Sequence, residues 1–223
     1  MINIAVDGTV GSGKSTVTKE LARLLNLKVL DTGAIYRGIA CEFKKKFSNN
    51  VNDENVEKIL KKLKVQVEFE GENQKVIVND FDYTPYLRTE EISSLTSRIS
   101  PYPKIREKVL TIQRKFASDY NSIMEGRDIG TVVLPKADVK IFLTATQEER
   151  AKRRYDQIIL KDNTVTLEKI LEDLKVRDYN DEHREIAPLK PAEDAIFVDN
   201  TGMTLQETVK KLYEIIQEKV NIL

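Results

Sequence analysis

Tryptophan is absent from this 223-residue sequence, cysteine and histidine occur once each, and Lys plus Arg equals Asp plus Glu at 36 each. A single cysteine, Cys41, cannot close an intramolecular disulfide, which suits a reducing compartment. One cysteine with one histidine, His183, leaves no Cys/His set of metal-binding spacing. A net charge of zero gives no global field for nucleic acid or a membrane surface, so any anion site must be local. No stretch approaches the roughly 18 apolar residues of a membrane helix. The start, Met1 to Asp7, lacks the basic residues and apolar run of a secretory signal. A cytoplasmic protein with neither nucleic-acid nor membrane partners is expected. Present instead is an ordinary globular composition, 40% hydrophobic and 32% charged, long enough to bury a substantial core.

Ile2 to Val6 is a short apolar run that reads as a buried strand. Lys14 to Leu25 carries Val17, Leu21, Leu24 and Leu25 at helical spacing, and Lys28 to Leu30 reads as a second strand. Strand, glycine-rich turn, helix and strand make a βαβ unit, which implies a parallel sheet. Asn52-Asp53 offers a cap for a helix through Val56, Ile59, Leu60 and Leu63. The period then changes to two at Val65, Val67 and Phe69, turns at Gly71 to Asn73 and resumes at Val76 to Val78, predicting a β-hairpin inserted in an α/β chain. Helices are predicted over Glu90 to Ile99 and Ile105 to Tyr120, with strands at Ser122 to Met124, Val139 to Leu143 and Ala195 to Val198. Thr146 to Glu149 and Thr204 to Glu207 read as capping boxes, and a further helix starts near Thr166 and runs to about Asp178.

Gly8-Thr9-Val10-Gly11-Ser12-Gly13-Lys14-Ser15 matches the phosphate-loop pattern, with the required strand before it and helix after it. Thr16 continues into the helix. Successive backbone N–H groups and the helix N-terminus suit phosphate oxygens. Lys14 can reach the β- and γ-phosphates, and the Ser15 hydroxyl can ligate Mg²⁺. A GTPase switch would need a base-reading [NT]-K-x-D segment, and none occurs. Asp199-Asn200-Thr201-Gly202 fits D-x-x-G but follows the last strand, and reads as a turn.

Asp31-Thr32-Gly33-Ala34-Ile35-Tyr36-Arg37 lies beyond the second strand, and Arg127-Asp128 beyond a later one. In an open parallel sheet, ligands sit outside the carboxyl ends of strands. Two guanidinium groups there suit a bidentate grip on a second phosphate. Arg150, Lys152, Arg153 and Arg154, then the polar stretch Lys161 to Thr164, then Arg177 and Arg184, read either as a solvated basic face or as a lid over a transferring phosphoryl.

In these segments, together with Gly126 to Pro135, Val139 to Leu143, Glu148 to Arg154 and Ala187-Pro188-Leu189, the chain resembles the bacterial cytidylate kinase family over nearly its whole length. The phosphate loop is shared by many families; the Asp31 to Arg37 and Gly126 to Val133 blocks are far more specific. Thr9 stands where that family often has proline, and Glu125 where aspartate is common. The resemblance implies an α/β fold: a three-layer P-loop NTPase core with a central parallel sheet (1–38, 104–150 and 185–223). It also implies a nucleoside-monophosphate-binding region with an antiparallel β insert (39–103) and a short lid with flanking helices (151–184).

The implied activity is phosphoryl transfer from Mg²⁺-ATP to CMP or dCMP by a monomer. A UMP/CMP kinase, another small-molecule kinase or a nucleotide-binding switch protein is the alternative. By the same resemblance Arg37, Arg127 and Arg184 would hold the acceptor phosphate, and Arg177 and Asp181 its sugar. Thr32, Ser97, Arg106 and Asp128 would line the base pocket. Lys14, Arg127 and a lid arginine, Arg153 or Arg154, would serve catalysis. A carboxylate facing the exocyclic amine of cytosine fits this set, since uracil presents an acceptor there.

Overall fold

The computed structural model describes residues 1–159 and 164–220. In chain order, β1 (Asn3–Gly8) leads through the phosphate loop to α1 (Lys14–Leu25), followed by β2 (Lys28–Asp31) and α2 (Thr32–Phe47). Next come α3 (Asp53–Leu60), β3 (Val65–Glu70), β4 (Asn73–Val78), the two-residue β5 (Phe81–Asp82), α4 (Glu90–Ile99) and α5 (Pro103–Asp119). The chain returns through β6 (Ser122–Gly126), β7 (Val139–Thr144), α6 (Gln147–Ile158), α7 (Leu167–His183), β8 (Ile196–Asp199) and α8 (Leu205–Lys219).

Five strands form one parallel sheet in the order β2-β6-β1-β7-β8. Strand alternation feeds two layers. On β1, Ile4 and Val6 face a core shared with α1 and α8, while Ala5 faces the opposite core, built on α2 and α5. On β6, Ile123 and Met124 divide in the same way. The result is a three-layer α/β/α core. The predicted hairpin is present as β3–β4, extended by β5 into a separate antiparallel sheet. It sits on α2: Val76 and Val78 are fully buried, and a Cβ at Gly38 would lie 2.4 Å from the Val76 side chain. Buried Glu42 of α2 accepts from Tyr83 Oη at 2.6 Å and Asn79 Nδ2 at 2.8 Å, fastening the insert.

Three expectations need correction. The residues after β2 form a 16-residue helix, where the sequence reading recognised only a strand-end motif. Asp31 caps this helix by accepting from Ala34 N at 2.8 Å, and Ile35, Ile39 and Phe43 bury the face it turns to the core. Thr146 accepts from Glu149 N, but the reciprocal half of a capping box is replaced: Thr146 N donates to Thr201 Oγ1, and the Glu149 carboxylate holds Arg153. The full box occurs at Thr204–Glu207. Finally, α7 continues past Asp178 to His183. Residues 161–163 of the polar stretch expected in the lid lie outside the described residues. The D-x-x-G segment is indeed a turn, with Asp199 Oδ1 accepting from both Thr201 N and Oγ1.

Helices α6 and α7 make a small core of their own, in which Ala151, Ile170 and Leu174 pack around Val10 of the phosphate loop. No helix among the described residues is long and apolar enough to cross a membrane.

Candidate active site

Strands β2, β6 and β1 are neighbours, and their carboxyl ends are level: Asp31 lies opposite Glu125, and Asp7 opposite Gly126. The three segments singled out in the sequence therefore open onto one edge of the sheet. The loop after β1 can form only because Gly8 has no side chain, since a Cβ there would sit 1.9 Å from the Leu143 carbonyl oxygen of β7. Gly11 and Gly13 take left-handed conformations, φ 78° and 90°, which other residues adopt at a cost. Lys14 is buried and lies along the loop, donating to Gly8 O at 2.9 Å and Thr9 O at 2.6 Å. Burial, reinforced by nearby Arg127, pushes its ammonium far below the ordinary lysine value, against the opposing pull of Glu125 and Asp7.

The loop is anchored from two sides. Asn200 Nδ2, after β8, donates to Ser12 O at 3.0 Å. Arg150 Nη1 of α6 donates to Val10 O at 2.9 Å, and its guanidinium also makes a buried bidentate pair with Asp178 of α7 at 2.7 and 3.2 Å. The sequence groups Arg150 with the basic residues of a solvated face or lid. It is instead a 3%-exposed structural tie.

Glu125 at the end of β6 is hydrogen-bonded to Ser15. Burial, and then Asp31, hold its carboxyl well above the usual carboxylate range, against the hydrogen bond from Ser15. Thr32 Oγ1 donates to the Glu125 carbonyl oxygen at 2.6 Å.

Beyond β2 and β6, Arg37 Nη2 meets Asp31 Oδ2 at 2.7 Å, and Arg127 Nε meets Asp181 Oδ2 at 2.8 Å. Asp128 is flanked by Arg106 and by Arg184 Nη2, the latter at 3.5 Å. Burial raises the Asp128 carboxyl above its ordinary value, against these two guanidinium groups. Arg184 Nε donates at 2.6 Å to the carbonyl of Ala187, whose φ of 52° is left-handed, and Leu189 N returns to Asp181 O. The Ala187-Pro188-Leu189 motif thus closes around two site residues. Ser97 donates to Ser93 O and shares with Arg184, Tyr179 and His183 the lining of a cavity of about 590 Å³.

The remaining arginines part company. Arg154 pairs with Glu90, the first residue of α4, and Arg177 approaches the same carboxylate at 3.9 Å. Arg153 points elsewhere, donating to Glu149 and to Asn200 O and Oδ1. Among the described residues, the buried Nε–H groups of Arg37 and Arg177 have no hydrogen-bond partner. Such buried donors are costly unless an acceptor meets them. The sequence reading names Asp31 only as part of a motif and misses Glu90 and Asp178; these carboxylates hold Arg37, Arg154 and Arg150. Only the cap at Asp31 left a local signal.

The sequence model described as cytidylate kinase matches residues 4–218. A cytidylate kinase of Carboxydothermus hydrogenoformans is 43% identical over 225 residues, covering 100% of both chains. One from Caldicellulosiruptor saccharolyticus is 44% identical over 217 residues, covering 96% of this chain and 95% of the relative. Among solved structures, an uncharacterized protein from Eubacterium ventriosum shares the fold at a TM-score of 0.54 and 13% identity, covering 97% of this chain and 98% of the other.

Proposed function

This chain belongs to the cytidylate kinase family, and we propose on that premise that it phosphorylates CMP and dCMP with ATP by direct in-line transfer. The observation that carries the reading is the meeting of two anion pockets on one sheet edge. The phosphate loop after β1 and the guanidinium groups of Arg37 and Arg127 after β2 and β6 belong to adjacent strands. The Nε–H groups of Arg37 and Arg177, without hydrogen-bond partners among the described residues, suit oxygens of the acceptor phosphate and of its sugar.

The acceptor is a phosphate monoester whose second pKa is near about 6, so its oxygen is already nucleophilic at neutral pH and needs no base. The obstacle is bringing two anions together, so the protein contributes position and positive charge. Lys14 serves the donor phosphates. Arg37, Arg127 and Arg184 hold the acceptor phosphate, and Arg177 and Asp181 orient the sugar. Asp128, with Arg106, Ser97 and Thr32, reads the base, because a carboxylate pairs with the cytosine amine and opposes the uracil carbonyl. Arg154, beside Arg177, is the better of the two lid candidates for the transition state; Arg153 is committed to Asn200.

The adjoining oxygens of Ser15 and Glu125 suit Mg²⁺, which takes one or two protein oxygens alongside phosphates and water. Bound there, the ion would neutralise charge on the donor phosphates. In this reading residues 39–103 serve the acceptor and 151–184 the transferring group. The reading extends to a monomer in the cytoplasm, a reducing compartment that the single free Cys41 suits.

ADP release measured with CMP, dCMP, UMP, AMP and no acceptor tests the proposal. Strong stimulation by CMP and dCMP is expected. Equal stimulation by UMP would point to a UMP/CMP kinase, and acceptor-independent release to a switch protein.

A further inference from the structure

The segment bearing Arg127 and Asp128 is fastened by a residue far from it in sequence. After Asp128 the chain makes one turn of π-helix, Ile129–Val133, in which Val133 N bonds to Asp128 O and Leu134 N to Ile129 O. The N–H groups of Ile129 and Gly130, at the start of this turn, need acceptors from elsewhere. Both go to one carboxylate: Ile129 N donates to Asp7 Oδ1 at 2.8 Å, and Gly130 N to Asp7 Oδ2 at 2.7 Å. Asp7 is 4% exposed. It precedes Gly8, the first residue of the phosphate loop, and pairs in register with Gly126.

A carboxylate in such a place is an expensive choice for a core strand, where Ala5 and Val6 before it are fully buried and apolar. Its bidentate geometry uses that charge for one purpose: it fixes the π-turn to the root of the donor loop. Beneath the turn there is little slack, because a Cβ at Gly130 would meet the Lys140 side chain at 3.2 Å and Asp7 Oδ2 at 3.5 Å.

We infer that Asp7 is a positioning residue, whose two hydrogen bonds set where Arg127 and Asp128 stand relative to the phosphate loop. Both carboxylate oxygens of Asp7 are taken by backbone N–H groups, so its part is not contact with substrate. It acts by holding the acceptor segment at fixed distance from the donor segment, so its loss disturbs the acceptor more than the donor. The inference rests on the kinase reading above and assigns one of its alignment devices to a named group.

The experiment compares the full-length wild type with Asp7→Asn and Asp7→Glu in steady-state kinetics, varying CMP and ATP separately. Asparagine offers one acceptor and sets an N–H donor against the second backbone N–H; glutamate keeps both acceptors on a longer stem. For Asp7→Asn, KM for CMP is expected to rise about tenfold and KM for ATP less than about threefold, since sub-ångström misplacement is costly in such sites. Asp7→Glu should recover part of the CMP defect. Parallel rises in both KM values, unchanged CMP kinetics, or failure of both variants to fold would overturn the inference, the last because the carboxylate would then be a folding requirement. A wild type that shows no CMP-dependent ADP release would instead sink the kinase reading, independently of either variant.

Discussion

Asp31 holds Arg37 at 2.7 Å with one carboxylate oxygen and caps the helix that carries Arg37 with the other. One carboxylate thus fixes both the helix start and the guanidinium, whose Nε–H has no partner among the described residues. Arg37→Ala should raise KM for CMP about 10- to 100-fold, the worth of a charge-assisted hydrogen bond, and leave KM for ATP nearly unchanged. Steady-state kinetics with each substrate varied in turn checks this. Equal losses for both substrates would contradict an acceptor-side role.

Arg153 and Arg154 are neighbours in sequence with different surroundings. Arg154 joins Arg177 at Glu90, whereas Arg153 is tied to Asn200, which also bonds the phosphate loop. Arg154→Ala should lower kcat about 100- to 1,000-fold, as expected for loss of a transition-state charge contact. Arg153→Ala should act mainly on KM for ATP. Single-turnover rates for the two variants decide the matter, and a larger fall in the chemical step for Arg153→Ala would reverse the assignment.

The buried Lys14 ammonium titrates far below its ordinary value because burial and Arg127 oppose its charge. Triphosphate oxygens supply the missing anion, so the ATP complex binds more protons at Lys14 than the free protein does. The sign follows: ATP binding takes up a proton, and ATP affinity falls as pH rises above the lowered pKa. Calorimetric titration in two buffers of different ionisation enthalpy measures the uptake directly. An ATP affinity that does not change from about pH 6 to about pH 9 would show that Lys14 keeps its charge throughout.

The Arg150–Asp178 pair is the most buried ion pair of the site, with side chains 3% and 6% exposed. Asp178→Ala strands a buried guanidinium and should cost about 3–5 kcal/mol in urea-induced unfolding. Because Arg150 also holds Val10 O, KM for ATP should rise in the same variant. A loss below about 1 kcal/mol would mean that Arg150 finds water or another acceptor.

Much of this was legible from residue order. The phosphate loop announced itself through glycines at fixed spacing, and the hairpin through alternation at Val65, Val67 and Phe69. Helix α2 escaped notice because Gly33 and Gly38 punctuate it and a recognisable motif occupies its first turns. Gly38 is there for contact with Val76, a tertiary demand that local propensity opposes. The π-turn at Ile129–Val133 was illegible for a different reason. Its β-branched residues favour extended chain by propensity, and the carboxylate that shapes it lies 122 positions upstream of Ile129. The base-side arginines Arg106 and Arg184 and their shared partner Asp128 could be named through resemblance, but Glu90 and Asp178, which meet Arg154 and Arg150, could not, since a carboxylate on one helix carries no mark of the guanidinium it will meet.

The pairing of guanidinium groups with carboxylates along this edge has a consequence for life in a crowded cell. Arg37, Arg127 and Arg154 each meet a carboxylate, and Arg106 and Arg184 share a fourth, Asp128. In the proposed site this pairing makes an ion exchanger rather than a cationic trap: an incoming phosphate would have to take the place of internal carboxylates. On that reading RNA and other polyanions, which adhere to bare arginines, would gain less here than a small ligand of matching shape.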